Sequence, residues 1–103
     1  MSERFQINIE PEVLDDLQSA IDYYDSKKEG LGETFLGMID KHFELLKDHY
    51  LSFAVRYDDI RCLPLKKFPY TIHYRVLSSQ KIVSIKAVFC SFEDPDKWEE
   101  RAL

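Results

Sequence analysis

The chain has 103 residues, 45% of them hydrophobic and 14% aromatic, with a formal net charge of −5. Its length fits a single domain spanning 1–103, and a globule of that size buries roughly 60–65% of the surface its unfolded chain exposes, which excludes a disordered polymer. Cys62 and Cys90 have no CxxC or other metal-type spacing, which argues against a disulfide framework, and no run approaches the ~20 apolar residues that cross a bilayer.

Phe5, Ile7 and Ile9 alternate with Gln6, Asn8 and Glu10, the period-two pattern of a half-buried strand. Pro11 follows at a position suited to a first helical turn, where its missing N–H costs nothing, and Glu12, Asp15 and Asp16 favour the positive end of the helix dipole. Val13, Leu14, Leu17, Ile21 and Tyr24 form one apolar stripe, so the spacing predicts a helix over Pro11 to Ser26. Gly30 and Gly32 break it. Phe35, Leu36, Ile39, Phe43, Leu46 and Tyr50 repeat the stripe, giving a helical hairpin. Asp22, Asp25, Asp40, Glu44 and Asp48 fall largely off it and read as a solvated face.

Leu51 to Tyr57 reads as a connection, followed by three strands at Ile60–Leu65, Tyr70–Leu77 and Ile82–Phe92. The turns between them are Lys66-Lys67-Phe68-Pro69 and Ser78-Ser79-Gln80. Ile72, Tyr74 and Val76 share one side, opposite Thr71, His73 and Arg75; in the last strand Val83, Ile85, Ala87 and Phe89 share a side, opposite Ser84, Lys86, Val88 and Cys90. The tail around Trp98 reads as a short helix or extended cap, with Trp98 as an anchor at a core edge. The expected fold is α+β in the order β-α-α-β-β-β, with the helical hairpin on one face of a mainly antiparallel four-stranded sheet.

The charges are uneven along the chain. Residues 1–55 carry 12 acids and 5 bases, 56–86 carry 2 acids and 7 bases, and 87–103 carry 5 acids and 2 bases. Because exposed charges are screened beyond about 8 Å at physiological salt, local sign governs what docks on a surface. Arg61, Lys66, Lys67, Arg75 and Lys86 are expected to gather on or beside the polar sheet face, where they would meet RNA phosphates or an acidic protein segment. The plainer reading is that such cations keep an exposed sheet soluble and discourage edge pairing. His73 is either an exposed strand histidine without a fixed role or a proton-transfer group. His42 and His49, seven apart on one helix, need a third element to share a metal, so no metal and no cofactor is expected. No base is paired with Cys90 by sequence, which leaves it a small strand residue before a nucleophile.

Several segments, taken in order, resemble the RelE/ParE toxin superfamily and its plasmid-stabilisation members. They are Ile9-Glu10-Pro11-Glu12, Asp15-Asp16-Leu17, Tyr23-Tyr24, Leu31-Gly32-Glu33-Thr34-Phe35-Leu36, Ile60-Arg61, the run Leu65 to Val76, and Asp94-Pro95-Asp96-Lys97-Trp98. The resemblance implies a cytoplasmic toxin held inactive by an antitoxin wrapped over its surface. RelE-like members cut messenger RNA on the ribosome by 2′-hydroxyl attack, whereas ParE-like members poison DNA gyrase. Many similar chains end their last strand in His-x-x-Arg-Asp-Pro-x-x-Trp; here Cys90 and Glu93 stand at the His and Arg positions. A cysteine does not exchange protons as a histidine does near neutrality, and Glu93 would repel a scissile phosphate. Loss of a positioned acid or base costs about 10²- to 10⁴-fold, so nuclease activity by that route is expected to be weak or absent.

Three functions follow as expectations. The first is a toxin acting through protein binding, with its basic sheet face covered by the antitoxin, with Lys66, Lys67, Lys86, Cys90 and Glu93 as the residues that bind RNA or the antitoxin, and with gyrase or the translation machinery as target. The second is an endoribonuclease, ribosome-dependent or free, acting on messenger RNA through Arg61, Arg75 and His73 with the Lys66-Lys67 pair. The third is a non-toxic interaction module on the same fold. A second copy of the chain is a further candidate partner, giving a homodimer.

Overall fold

In the computed structural model, residues 4–91 are described. β1 (Gln6–Ile9) leads into α1 (Pro11–Lys27) and α2 (Leu31–His49), followed by β2 (Val55–Tyr57), β3 (Ile60–Pro64), β4 (Tyr70–Leu77) and β5 (Ile82–Cys90). The sheet has five strands in the order β1-β5-β4-β3-β2, parallel between β1 and β5 and antiparallel elsewhere. The four-stranded expectation is corrected by β2. Its three residues are too few to display a period, and a register shift between Val55 and Tyr57 breaks its pairing with β3. The expected tail element at Trp98 lies outside the described residues.

Apolar residues from both helices meet one sheet face. Val13, Phe35, Ile39, Leu46, Ile72, Tyr74, Val83 and Ile85 are all fully buried, each such side chain stabilising the fold by about 1.5–3 kcal/mol. The Tyr74 hydroxyl donates to the Tyr50 carbonyl at 2.9 Å, so this deep phenol is satisfied. The stripes sit slightly off the expected ones. Leu14 and Leu36 face outward, at 58% and 37% exposure, while Ala20 and His42 are buried. His42 Nδ1 lies 2.8 Å from the Met38 carbonyl, so the helix itself supplies its partner.

Two carboxylates expected on a solvated helix surface or at the helix dipole instead close backbone gaps. Asp25 accepts the Gly32 N–H at 2.8 Å, capping α2 from the neighbouring helix where Gly30, at φ 85°, has no side chain to do so. Asp16 accepts the Val88 N–H at 3.1 Å. β1 pairs with β5 only as far as Ile85, and Asp16 serves the edge beyond it. At Gly32 the helices approach closely: a Cβ there would lie 2.8 Å from the Ile21 carbonyl oxygen and Cγ2. Gly32→Ala is therefore expected to cost about 1–3 kcal/mol in urea unfolding, the range for overpacking. Gly37, with open space at its Cβ position, should accept alanine with no such loss.

β5 departs from simple alternation. His73 pairs with Ala87 and Tyr74 with Ile85, leaving Lys86 as an extra residue in a β-bulge. The bulge reverses the facing of everything after it. Val88 joins Val83 and Ile85 in the main core, whereas Ala87 and Phe89, expected beside Val83, pass to the outer face.

Candidate functional site on the outer sheet face

The outer face at β3, β4 and β5 is not the open basic surface expected from the charge pattern. Ile60, Cys62, His73, Ala87 and Phe89 are buried there, with Tyr57 of β2 packed against Ile60 and Cys62. His73 is fully buried, which corrects its expected exposure. Its Nδ1 lies 3.0 Å from the Tyr57 hydroxyl and 3.5 Å from Cys62 Sγ, and its ring meets Phe89 edge-on at 5.4 Å. Burial, followed by the positive charge of Arg56, pushes the His73 pKa down to about 4, so the ring is neutral at pH 7. Burial likewise pushes the Cys62 thiol up to about 11, with Arg56 opposing. Neither group is a reactive acid, base or thiolate near neutrality.

Beside this apolar patch lies an ionic cluster assembled from four parts of the chain. Ser84 is the cross-strand partner of Arg75, and Lys86 is the bulge residue. Glu10, at the β1–α1 corner, reaches both: its Oε1 accepts from Lys86 Nζ at 2.9 Å and from Ser84 Oγ at 3.2 Å. Arg75 Nε donates to Asp59 Oδ1, in the β2–β3 turn, at 2.8 Å. The Lys86 ammonium is the main cause holding the Glu10 carboxyl below its ordinary value; burial opposes it, while the Ser84 hydrogen bond and Arg75 assist. Two cations thus face two carboxylates.

The other expected site residues lie elsewhere. Arg61 shares the strand face of Leu63, toward the helices, and donates to the Phe53 carbonyl at 2.6 Å. Lys66 and Lys67 are exposed in the β3–β4 connection, with Lys67 at φ 72°. That connection adjoins Tyr70, five residues before Arg75, so about 16 Å of strand separates the lysine pair from Arg75, beyond the Debye length. Cys90 pairs with Tyr70 at the far end of β5, two residues past Val88 and so on the helix side. Glu93 lies outside the described residues. The expected single basic cluster is therefore divided, because strand alternation sends Arg61 and Arg75 to opposite faces and the turn carrying Lys66 and Lys67 lies at the end of β4 far from Arg75. Sequence reasoning missed Tyr57, Asp59, Ser84 and Glu10 as participants. Glu10 stands 76 residues before Lys86, and only the parallel pairing of β1 with β5 joins them. Among the described residues no group of three or more His, Cys, Asp or Glu side chains can hold a metal, and no helix is long and apolar enough to cross a membrane.

The fold has known counterparts. A toxin chain of the chromosomal ParDE system from P. aeruginosa superposes with a TM-score of 0.73 at 18% identity, covering 84% of this chain and 96% of that one. A mutant of the E. coli toxin RelE in the free state gives 0.71 at 15% identity, covering 96% and 95%. A RelE mutant in complex with a peptide of its antitoxin RelB gives 0.62 at 16% identity, covering 97% and 95%. No curated protein sequence matches significantly. The family model for the ParE toxin of the type II toxin-antitoxin system, parDE, matches residues 7–95. With most of its length matched in that way, the chain belongs to the ParE toxin family of type II toxin–antitoxin systems.

Proposed function

We propose that this chain is a cytoplasmic toxin that acts by protein contact, is neutralised by a bound antitoxin segment, and does not cut RNA by a histidine–arginine route. The observation carrying this reading is the burial of His73, which puts the ring out of a substrate's reach and lowers its pKa so that it is uncharged at pH 7. A general acid or base must reach the proton it moves and titrate near the working pH. Arg75 and Lys86, on the β4 and β5 strands beside it, are engaged by Asp59 and Glu10. The RelE structure holding an antitoxin peptide supports an antitoxin partner, and membership of the ParE family favours gyrase over the ribosome as target.

Expression of the chain alone should arrest growth, and co-expression with the product of the adjacent short reading frame should restore it and yield a co-purifying complex. Transcripts in a translating extract should stay intact. Cleaved transcripts that Arg75→Ala abolishes would instead establish the ribonuclease, and the absence of both arrest and capture would leave only the non-toxic module.

A further inference from the structure

A cationic pair on a sheet face is a natural phosphate seat, since arginine grips two phosphate oxygens and lysine supplies a point charge beside it. Arg75 and Lys86 form such a pair, flanking the Ser84 hydroxyl on adjacent strands. Each is nonetheless matched by a carboxylate of the chain itself, at 2.8 Å from Asp59 and 2.9 Å from Glu10. The Glu10 oxygen occupies the point where the Lys86 and Ser84 donors converge, where a phosphate oxygen would otherwise sit. At these two cations the charges cancel, so a phosphate seated on them would release no counterions and gain no electrostatic affinity.

We infer that Glu10 and Asp59 are specificity-determining residues that screen Arg75 and Lys86 and so close the outer sheet face to phosphodiester backbones. The Glu10 and Asp59 side chains are 32% and 65% exposed, so both carboxylates are in view of an approaching polyanion and repel it as well as occupying the cations. Residues 56–86 remain basic in sequence, yet at Arg75 and Lys86 that charge is already matched, and Arg56, an outer-face cation whose charge reaches His73, stands outside the screen.

The test is binding of a labelled single-stranded oligouridine by fluorescence anisotropy between about 50 and 200 mM salt. The Glu10→Gln/Asp59→Asn double variant keeps both side-chain shapes and removes both charges. It should bind at least about tenfold tighter than the parent at low salt, with a log–log salt slope steeper by about 1.4, or two phosphates at 0.7 each. Adding Arg75→Gln and Lys86→Gln should return both quantities to the parent values. Unchanged affinity in a folded double variant overturns the screen, as does a gain that survives removal of the two cations. Should loss of the Glu10 contact prevent folding, Asp59→Asn alone in its exposed turn carries the same test at about half the slope change. The screen rests on the proposed protein-contact mode of action, but the two fail separately, because antitoxin capture and growth arrest do not depend on oligouridine affinity.

Discussion

Replacing Phe35 by alanine is expected to remove about 3–5 kcal/mol of stability, the range for a fully enclosed aromatic ring. Phe35 is completely buried, with the rings of Tyr24, Phe68 and Tyr70 centred 5.4, 5.2 and 5.1 Å from its own. Those partners come from α1, the β3–β4 connection and β4, so truncation opens a void that no single element can close. Domains of this size have about 5–15 kcal/mol in total, and the loss corresponds to a fall in Tm of at least about 12 °C. Leu36, its neighbour in sequence, faces outward at 37% exposure and should cost far less as alanine. Urea titrations of the two variants provide the comparison; similar losses would show that the core does not pivot on Phe35.

The second large effect is an acid destabilisation centred on His73. Its folded-state pKa of about 4 lies below the ordinary 6.5, so between those values the unfolded chain binds a proton that the folded chain refuses. Stability therefore rises with pH across that window and is lost on acidification, by about 3 kcal/mol in all. A His73→Gln variant loses the titrating ring, and its stability should change correspondingly less between pH 6.5 and 4. The carboxylates of Glu10 and Glu44 are held below their ordinary 4.5 by Lys86 and by Arg4 respectively, so their contribution begins to be lost at the acid end of this window and continues to fall below it. That loss is common to both proteins and cancels in the comparison. Equal pH dependence of parent and variant in urea unfolding would exclude a buried neutral His73.

The elements that were legible in the chain are those with several periods to display. α1 begins at Pro11 and β4 spans Tyr70–Leu77, as expected from their patterns, and α2 carries Phe35, Ile39, Phe43 and Leu46 into the core. β2 was hidden because its three residues cannot show a period and its pairing depends on β3. The facing of Ala87, Val88 and Phe89 was misread because period-two reasoning assumes an uninterrupted strand, and one extra residue at Lys86 inverts all that follows.

Legible in the residues alone were the α+β order, the helical hairpin, the β4 face and the first half of the β5 face that receive it, and the resemblance to the toxin family. The elements depend on local hydrophobic spacing, which each segment carries within itself, and the resemblance on short motifs such as Leu31-Gly32-Glu33-Thr34-Phe35-Leu36 taken in order. Tertiary structure alone decided the state of the candidate site: that His73 is buried and neutral, that Arg61 is turned away from Arg75, and that Lys86 and Arg75 meet Glu10 and Asp59. Burial and ion pairing are relations between distant segments, here the joining of β1 to β5 and of the β2–β3 turn to β4. A charge count along the chain measures how many cations there are but not which carboxylates stand opposite them.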